Sequence, residues 1–543
     1  MKQFKRVQIP GLILSISIFI FVLMAVSALL MHAPNLDITA IWSDPYYRYI
    51  TQFSFYQAFL STLLSVLVAI PISHALFRRE FWGKTFLLKL FATTLVLPVL
   101  VAIFGLLAIY GNSGLFASVF ALFDSELPFS IFGLNGILLA HVFFNLPFAC
   151  RLFLQALHAI PDKQHQLASH LGLKHWNKFR FVEWPHLLAQ LPHIAGLIFM
   201  LCFTSFATVM ALGGGPKSTT IELAIYQAIK FDFDLQTGAL LALWQICLCA
   251  TLAIFIQKIS PPSALSANYH GTQNTFCHDS FFSKCWDISC ITLVCLLVLP
   301  PLLMVVISGV NEQLFTVLSD IKFWLAFKNS VLIASCAALI AVFCAFFILL
   351  ASRQWRLLGL NGRADKIEML ATIILVTPGL VISTGLFLLL REVGNLSSLA
   401  MYIVIAVNAL MALPFVLKSL ALPLLYNAQK YERLCASLGI SSWHRFYHIE
   451  WKALKQPILQ SVCLSFVLSI GDLSAIALFG SHRFNTLPLY LYQLLGSYQM
   501  QSAAVVALLL LILSVGVFVV IEKLFQDKTI QEKELQEIRD HHD

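Results

Sequence analysis

One loop of this chain occurs twice, 267 residues apart, and this repeat constrains the fold more than any other feature. The first loop (residues 166–185) and the second loop (residues 433–452) agree at six positions and differ by Val against Ile at a seventh. The matching residues are Leu171, Gly172, Trp176, Phe179, Val182, Glu183 and Trp184 in the first loop, and Leu438, Gly439, Trp443, Phe446, Ile449, Glu450 and Trp451 in the second. Such a repeat indicates a molecule built from two similar halves.

The composition identifies the solvent in which the chain folds. Charged residues make up 11% of the chain and apolar residues 59%, which is more apolar surface than a soluble protein can bury. Lipid is therefore the solvent, and in lipid a chain satisfies its backbone hydrogen bonds within helices. The predicted fold class is an all-α integral membrane protein with about 12 transmembrane helices in two homologous six-helix halves.

Twelve stretches have the length of about 20 mostly apolar residues that a membrane-spanning helix needs. In the first half they are predicted at 10–32, 53–77, 86–109, 132–156, 187–212 and 236–257, and in the second at 287–309, 324–351, 368–390, 397–424, 457–480 and 502–522. The predicted domains are a first half (1–258), a linker (259–286), a second half (287–524) and a tail (525–543). The first stretch exceeds the roughly 7–15 apolar residues of a secretion signal, so a retained helix is expected.

The positions of Lys and Arg predict the orientation. With the N-terminus inside, all but seven of the 35 basic residues fall on the inner side. The positive-inside rule then places both termini and both repeated loops in the cytoplasm. The net charge of +8 needs no nucleic-acid partner to explain it.

The repeated loops have a pattern typical of a docking surface. In each, a short helix is expected to end at a glycine in the left-handed conformation, at Gly172 and Gly439. A second helix follows, with Trp176, Phe179 and Val182 spaced by three on one face. Glu183 and Glu450 are expected as charged contacts at the rim. An exposed aromatic patch favours a docking site, although Trp is also enriched where helices meet the lipid interface.

Polar residues near the outer ends of the helices are candidates for the pore or its outer mouth. Asp472 is an acid within an apolar run, so it is either a functional group at membrane depth or a carboxylate bonded to a helix end. The duplicated segments 213–235 and 480–500, called the tyrosine segments below, carry Glu222 with Tyr226 in one and Tyr492 in the other. They are predicted to form short helices at the outer mouth.

Several kinds of chemistry are not expected. The segment Gly213–Thr219 has Pro216 where a phosphate loop requires glycine, so any energy from ATP must come from another subunit. No cysteine pair has metal-site spacing with partnering histidines. The clustered cysteines Cys277, Cys285, Cys290 and Cys295 could hold a metal, but packed apolar residues are the favoured interpretation, so neither a metal nor a cofactor is expected. A secondary transporter would carry ionisable residues in several spans, whereas the spans of this chain are nearly bare of charge. A membrane enzyme would need a cluster of acids or histidines, whereas His141, His158 and His193 are isolated.

The loops resemble the cytoplasmic signature loop of ABC importer permeases. The matching positions are Gln166, Leu167, Ala168, Gly172, Val182, Trp184 and Pro185 in the first loop, and Arg433, Leu434, Cys435, Gly439, Ile449, Trp451 and Lys452 in the second. Over nearly its full length the chain resembles the fused permeases of bacterial thiamine importers. The segments that carry this resemblance are Ile137–Pro147, Phe179–Pro185, Ser205–Phe233, Leu468–Gly480 and Thr486–Tyr498.

This resemblance implies a pore-forming subunit of the bacterial inner membrane that is not itself an enzyme. It implies two copies of a cytoplasmic ABC ATPase on the paired loops, a periplasmic thiamine-binding protein on the outer face, and surrounding membrane lipid. The implied cargo is thiamine and its phosphates, moved inward by alternating access. A ferric iron importer permease is the alternative within the family, and a 12-span secondary transporter is the alternative outside it.

Overall fold

The computed structural model describes residues 2–33, 42–94, 96–125, 128–173, 175–259, 281–375, 377–393, 396–438, 442–481 and 484–540. Throughout these ranges the chain forms helices joined by turns, with no strand. Most of the predicted linker, 260–280, lies outside them, as do Gly439 and the side chains of Arg433 and Trp443.

The helices of the first half are numbered in chain order. They are α1 (Lys2–His32), α2 (Pro45–Arg78), α3 (Lys84–Thr94), α4 (Val99–Tyr110), α5 (Leu115–Ala121), α6 (Leu134–His158), α7 (Asp162–His170), α8 (His175–Lys178), α9 (Trp184–Phe203), α10 (Phe206–Leu212), α11 (Ile221–Lys230) and α12 (Leu235–Ile259). A π-helical turn, Phe179–Glu183, joins α8 to α9, and a 3₁₀ turn lies at Pro216–Ser218.

The second half repeats this order with fewer breaks. Its helices are α13 (Phe281–Gly309), α14 (Leu314–Ser319), α15 (Ile321–Leu357), α16 (Asn361–Ala371), α17 (Gly379–Val393), α18 (Leu396–Ser437), α19 (Ser442–Arg445), α20 (Trp451–Ile470), α21 (Ser474–Phe479), α22 (Leu487–Gly496) and α23 (Met500–Asp540). A π-helical turn at Phe446–Glu450 joins α19 to α20, and a 3₁₀ turn lies at Ile373–Leu375.

Eleven segments of the described residues are long and apolar enough to cross a membrane, and a shorter apolar helix lies at Gly379–Arg391. The predicted all-α membrane fold is confirmed, but the predicted third and ninth spans, 86–109 and 368–390, are each interrupted. Pro98 and Pro378 stand directly before α4 and α17. Proline lacks the N–H that a continuing helix needs, so each stretch is divided there.

The described chain forms two compact units that differ from the two sequence halves. One unit comprises Met1–Leu36, Ile225–Leu243 and Glu312–Asp543, and the other comprises Asp37–Ala224 and Trp244–Asn311. The first helix of each half is therefore exchanged, because α1 packs on α15 and α17 while α13 packs on α4 and α2. In the second of these units, an ion pair of 2.7 Å between Arg79 Nε and the buried Asp287 Oδ2 fixes α2 to α13.

Duplicated glycines allow the exchanged helices to approach closely. A Cβ on Gly105 of α4 would lie 2.4 Å from the carbonyl oxygen of Pro301 in α13. A Cβ on Gly385 of α17 would lie 2.2 Å from the carbonyl oxygen of Ala25 in α1. Small residues at helix contacts serve this purpose in membrane proteins. Gly105 and Gly385 are thus residues of close helix contact.

We expect Gly105→Ala and Gly385→Ala each to lower the thermal midpoint of the purified chain in detergent, because the added methyl group forces two backbones apart at a cost of about 1–3 kcal/mol. Gly516→Ala is the matched control, since a Cβ at this helical glycine meets nothing within 4 Å. Unchanged midpoints for both test variants would show that these helix pairs are not closely packed.

Candidate functional site

The first loop begins with the predicted glycine turn. Helix α7 ends at His170, and Gly172 follows with φ of +67°. The N–H of Gly172 donates to the carbonyl of Ser169, and the N–H of Leu173 donates to the carbonyl of Ala168, both at 3.0 Å. This is a Schellman helix end, which the left-handed glycine makes possible. The predicted conformation of Gly172 is confirmed.

The side chains of the α7 turn divide between interior and surface. Ala168 is buried, at 2% exposure. Gln166 is exposed, and so are Leu167 and Leu171. The turn therefore shows polar and apolar groups at its surface while a small residue holds it against the protein.

The sequence predicted that the aromatic residues after the turn form one exposed stripe. The structure does not show this stripe. Trp176 is 68% exposed, whereas Phe179 is half-buried, with its ring 4.8 Å from the ring of His74 on α2. The half-buried Trp184 lies 5.9 Å from the Phe179 ring. The π-helical turn shifts the register of the side chains that follow it, because it holds one more residue per turn than an α-helix. It leaves Phe181 on the surface.

The second loop has a similar arrangement, but the helix that precedes it is not divided. Its predicted short helix at 433–438 is the end of α18, which is 42 residues long. The first loop instead has Pro161 directly before α7, where the repeat places Ala428 in the second half. Because alanine continues a helix and proline interrupts it, only the first half is divided here.

The second loop repeats the inward phenylalanine of the first. Phe446 turns inward, with its ring 5.5 Å from that of Phe346 on α15. Trp451 is 44% exposed and Tyr447 is 61% exposed. Each loop therefore has a phenylalanine anchored on the second long helix of its half and large apolar side chains at the surface.

Glu183 is not the exposed rim charge that the sequence predicted. Its side chain is buried, at 2% exposure, and Oε2 lies 2.8 Å from Nε2 of His74 on α2. Oε1 lies 3.7 Å from Nζ of Lys178. A buried carboxylate is stable as an ion only beside such partners. These contacts hold the π-helical turn against α2.

Glu450 is also buried, and the rim prediction is wrong for it as well. Its exposure is 2%, and Oε1 lies 3.1 Å from Nη1 of Arg353 on α15 and 2.7 Å from Nε of Arg445. Lys178 and Arg445 each precede the glutamate by five positions. This repeated spacing was visible in the sequence, whereas His74 and Arg353 gave no signal because they lie about 100 residues from their partners.

The tyrosine segments also contact the second long helix of their own half. The N–H of Ile221, at the start of α11, donates to Ser54 Oγ on α2 at 3.1 Å. The N–H of Leu487, at the start of α22, donates to Ser330 Oγ on α15 at 2.7 Å. The two halves thus use the same kind of hydrogen bond to seat these short helices.

The candidate mouth residues on the tyrosine segments are largely buried. Glu222 has 2% exposure and Tyr226 has 7%. Burial, with a smaller contribution from the Tyr492 hydroxyl, raises the pKa of Tyr226 to about 12. Burial also raises the pKa of Tyr492. Both hydroxyls are therefore neutral near pH 7.

Asp472 lies in the break between α20 and α21 and is bonded to the second of these helices. Its Oδ1 accepts from Ser474 Oγ at 2.7 Å and from the N–H of Ser474 at 3.3 Å. Its Oδ2 accepts from the N–H of Ala475 at 3.3 Å. These bonds match the expectation of a carboxylate attached to a helix end, and they satisfy N–H groups that a helix start leaves free.

The described residues contain no group of three His, Cys, Asp or Glu side chains that could hold a metal ion. Of the clustered cysteines, Cys277 lies outside the described ranges, and Cys285, Cys290 and Cys295 are spread along α13. The features that the two halves repeat are a loop with exposed aromatic side chains, a buried acid–base cluster and a short helix bonded to the second long helix.

Comparison with known proteins identifies the kind of protein that carries this arrangement. Residues 61–264 and 356–530 match the family described as binding-protein-dependent transport system inner membrane component. The thiamine transport system permease protein of Escherichia coli (strain K12) is 47% identical over 520 residues, which cover 95% of this chain and 96% of that protein. The permease of the same name from Salmonella typhimurium is 46% identical over 520 residues, with the same two shares.

A third relative of that name, from Haemophilus influenzae, is 42% identical over 508 residues, 93% of each chain. The two matched family segments each contain one repeated loop, so the repeat recognised in the sequence coincides with a repeated family unit. The chain is a multi-pass permease, and it belongs to the binding-protein-dependent transport system inner membrane component family.

Proposed function

We propose that this chain is the fused permease of a thiamine importer in a bacterial inner membrane. It moves thiamine and its phosphates from the periplasm to the cytoplasm by alternating access, with both termini in the cytoplasm. The observation that carries this proposal is the set of near-full-length relatives named thiamine transport system permease proteins. The orientation rests on the distribution of basic residues.

The energy comes from two copies of a cytoplasmic ABC ATPase, one on each repeated loop. The first loop offers Trp176 and Phe181 at its surface, and the second offers Tyr447 and Trp451. Exposed aromatic groups on rigidly held turns are well suited to a protein partner. Gln166 and Gly172 belong to the first loop, with Ala168 buried beneath its turn. Arg433, Gly439 and Trp443 hold the corresponding or neighbouring places of the second loop in the sequence.

A periplasmic thiamine-binding protein delivers the cargo to the tyrosine segments. Tyr226 and Tyr492 carry neutral hydroxyls close enough for Tyr492 to raise the pKa of Tyr226, and aromatic rings attract a cation such as thiamine. Glu222 and Asp472 contribute carboxylates within the same two half-domains. The halves 1–258 and 287–524 each supply one loop and one tyrosine segment, joined by the linker 259–286 and followed by the tail 525–543.

The cargo prediction is tested in vesicles that contain the chain, its ATPase and its binding protein. We expect uptake of labelled thiamine that is competed by thiamine monophosphate and thiamine diphosphate. Vesicles without the binding protein are the control and should show little uptake. Ferric ion in place of thiamine as the stimulating ligand would assign the chain to the iron importers.

The energy prediction is tested with the purified chain alone. We expect no saturable binding of ATP, because the glycines at 213–215 lack the spacing of a phosphate loop. Gly214 and Gly215 have φ of +68° and +148° and form a turn before the 3₁₀ helix. Saturable nucleotide binding without any other subunit would contradict the assignment of ATP hydrolysis to a partner.

The docking prediction concerns Gly172. We expect Gly172→Val to reduce co-purification of the ATPase, because a β-branched residue is a poor occupant of the left-handed region and the turn would open. Gly359→Val is a matched control, since Gly359 ends α15 with φ of +74° and an added Cβ there also meets nothing within 4 Å.

Both substitutions impose a similar backbone strain, of about 1–2 kcal/mol. Only the one in the first loop should reduce the amount of ATPase recovered with the chain. Equal recovery with both variants would show that the first loop packs at the lipid interface and is not a docking site.

A further inference from the structure

The second long helix of each half contacts two distant segments. At one end α2 bonds Glu183 of the first loop through His74, and at the other it bonds the tyrosine segment through Ser54. His74 follows Ser54 by 20 positions, which corresponds to a rise of about 30 Å along a helix. That rise equals the hydrocarbon thickness of a bilayer, about 30 Å.

Helix α15 makes the same two connections in the second half. Arg353 bonds Glu450 at one end, and Ser330 accepts the Leu487 N–H at the other. Their separation of 23 positions corresponds to about 35 Å. Both helices are continuous over these distances. Helix α2 continues through Pro71, and α15 contains no proline.

The loop ends of these connections are strongly held. Moving either loop away from its helix would leave a buried carboxylate without one of its bases, which is costly in a protein interior. The basic partner within each loop, Lys178 or Arg445, moves with the glutamate and cannot replace the base on the helix. A loop displaced by its partner protein therefore carries the adjoining end of α2 or α15 with it.

The other ends are held by a hydrogen bond to a buried backbone N–H. Ser54 Oγ donates to the carbonyl of Ile50 at 2.9 Å while it accepts from Ile221, so its hydroxyl is fixed in direction. Thr220 and Thr486, the residues directly before the bonded N–H groups, are buried at 2% and 5% exposure. Water cannot readily substitute for the serine at such positions.

We propose that α2 and α15 transmit movement between the repeated loops and the tyrosine segments, and that Glu183 and Glu450 are the positioning residues that attach each loop to its helix. This inference rests on the proposed function, because it assumes that an ATPase moves the loops. The pairs that attach the loops to the helices are Glu183 with His74 and Glu450 with Arg353. Ser54 and Ser330 make the opposite attachments.

The test uses the complete complex of chain, ATPase and thiamine-binding protein in vesicles. The readout is the ratio of ATP hydrolysis with loaded binding protein to hydrolysis without it, together with recovery of the ATPase on the chain. For the double variant Glu183→Gln, Glu450→Gln we expect the ATPase to be recovered while the ratio falls by at least about fivefold, the low end of allosteric coupling.

Matched variants separate coupling from general damage. Asp365→Asn removes an exposed ion pair with Arg356, 2.9 Å long, and should leave the ratio unchanged. His74→Ala should lower the ratio, while His74→Arg should retain it, because arginine holds the equivalent glutamate in the second half. Ser54→Ala with Ser330→Ala should lower the ratio without loss of the ATPase, since it releases only the opposite attachments.

An unchanged ratio in the double glutamine variant or in the double serine variant would overturn the inference. So would loss of the ATPase from the double glutamine variant, because the glutamates would then serve docking alone. Failure of the proposed function has a different signature, in which the wild-type complex itself shows no stimulation by thiamine-loaded binding protein.

Discussion

Two carboxylates, each buried at 2% exposure, hold the repeated loops of this permease against the second long helix of each half. Burying the carboxylates of Glu183 and Glu450 in an apolar interior is costly unless bases lie against them. One base comes from the loop itself, and the other comes from the second long helix of the same half. The position of each loop on the helix bundle therefore depends on one acid and its two partners.

The rest of the architecture follows from how polar backbone groups are satisfied within apolar surroundings. Prolines divide the predicted third and ninth spans, and Asp472 supplies bonds to the N–H groups at the start of α21. Gly105 and Gly385 allow α13 and α1 to pack at backbone contact. Each half thereby combines long continuous helices, suited to transmitting movement, with short ones suited to forming a mouth.

The sequence predicted the fold class and the repeated loops because both depend on local patterns, such as apolar length and the turn at Gly172. It misjudged Glu183, Glu450 and Phe179, because their burial comes from helices about 100 residues away. The exchange of α1 and α13 between the compact units was equally invisible, since any apolar helix has the composition to occupy either place. The repeated basic residues Lys178 and Arg445 were the one overlooked signal within reach of the sequence.

The most direct test of the account asks what touches the exposed aromatic positions of the loops in a membrane. A photo-reactive phenylalanine analogue placed at Trp176 or Trp451, in cells that also produce the ATPase, should form a covalent adduct with the ATPase. The same analogue at Phe123, which is 77% exposed and is predicted to lie on the outer face, is the control and should form none. Adducts with lipid alone at both loop positions would contradict the account, because the repeated loops would then belong to the membrane interface.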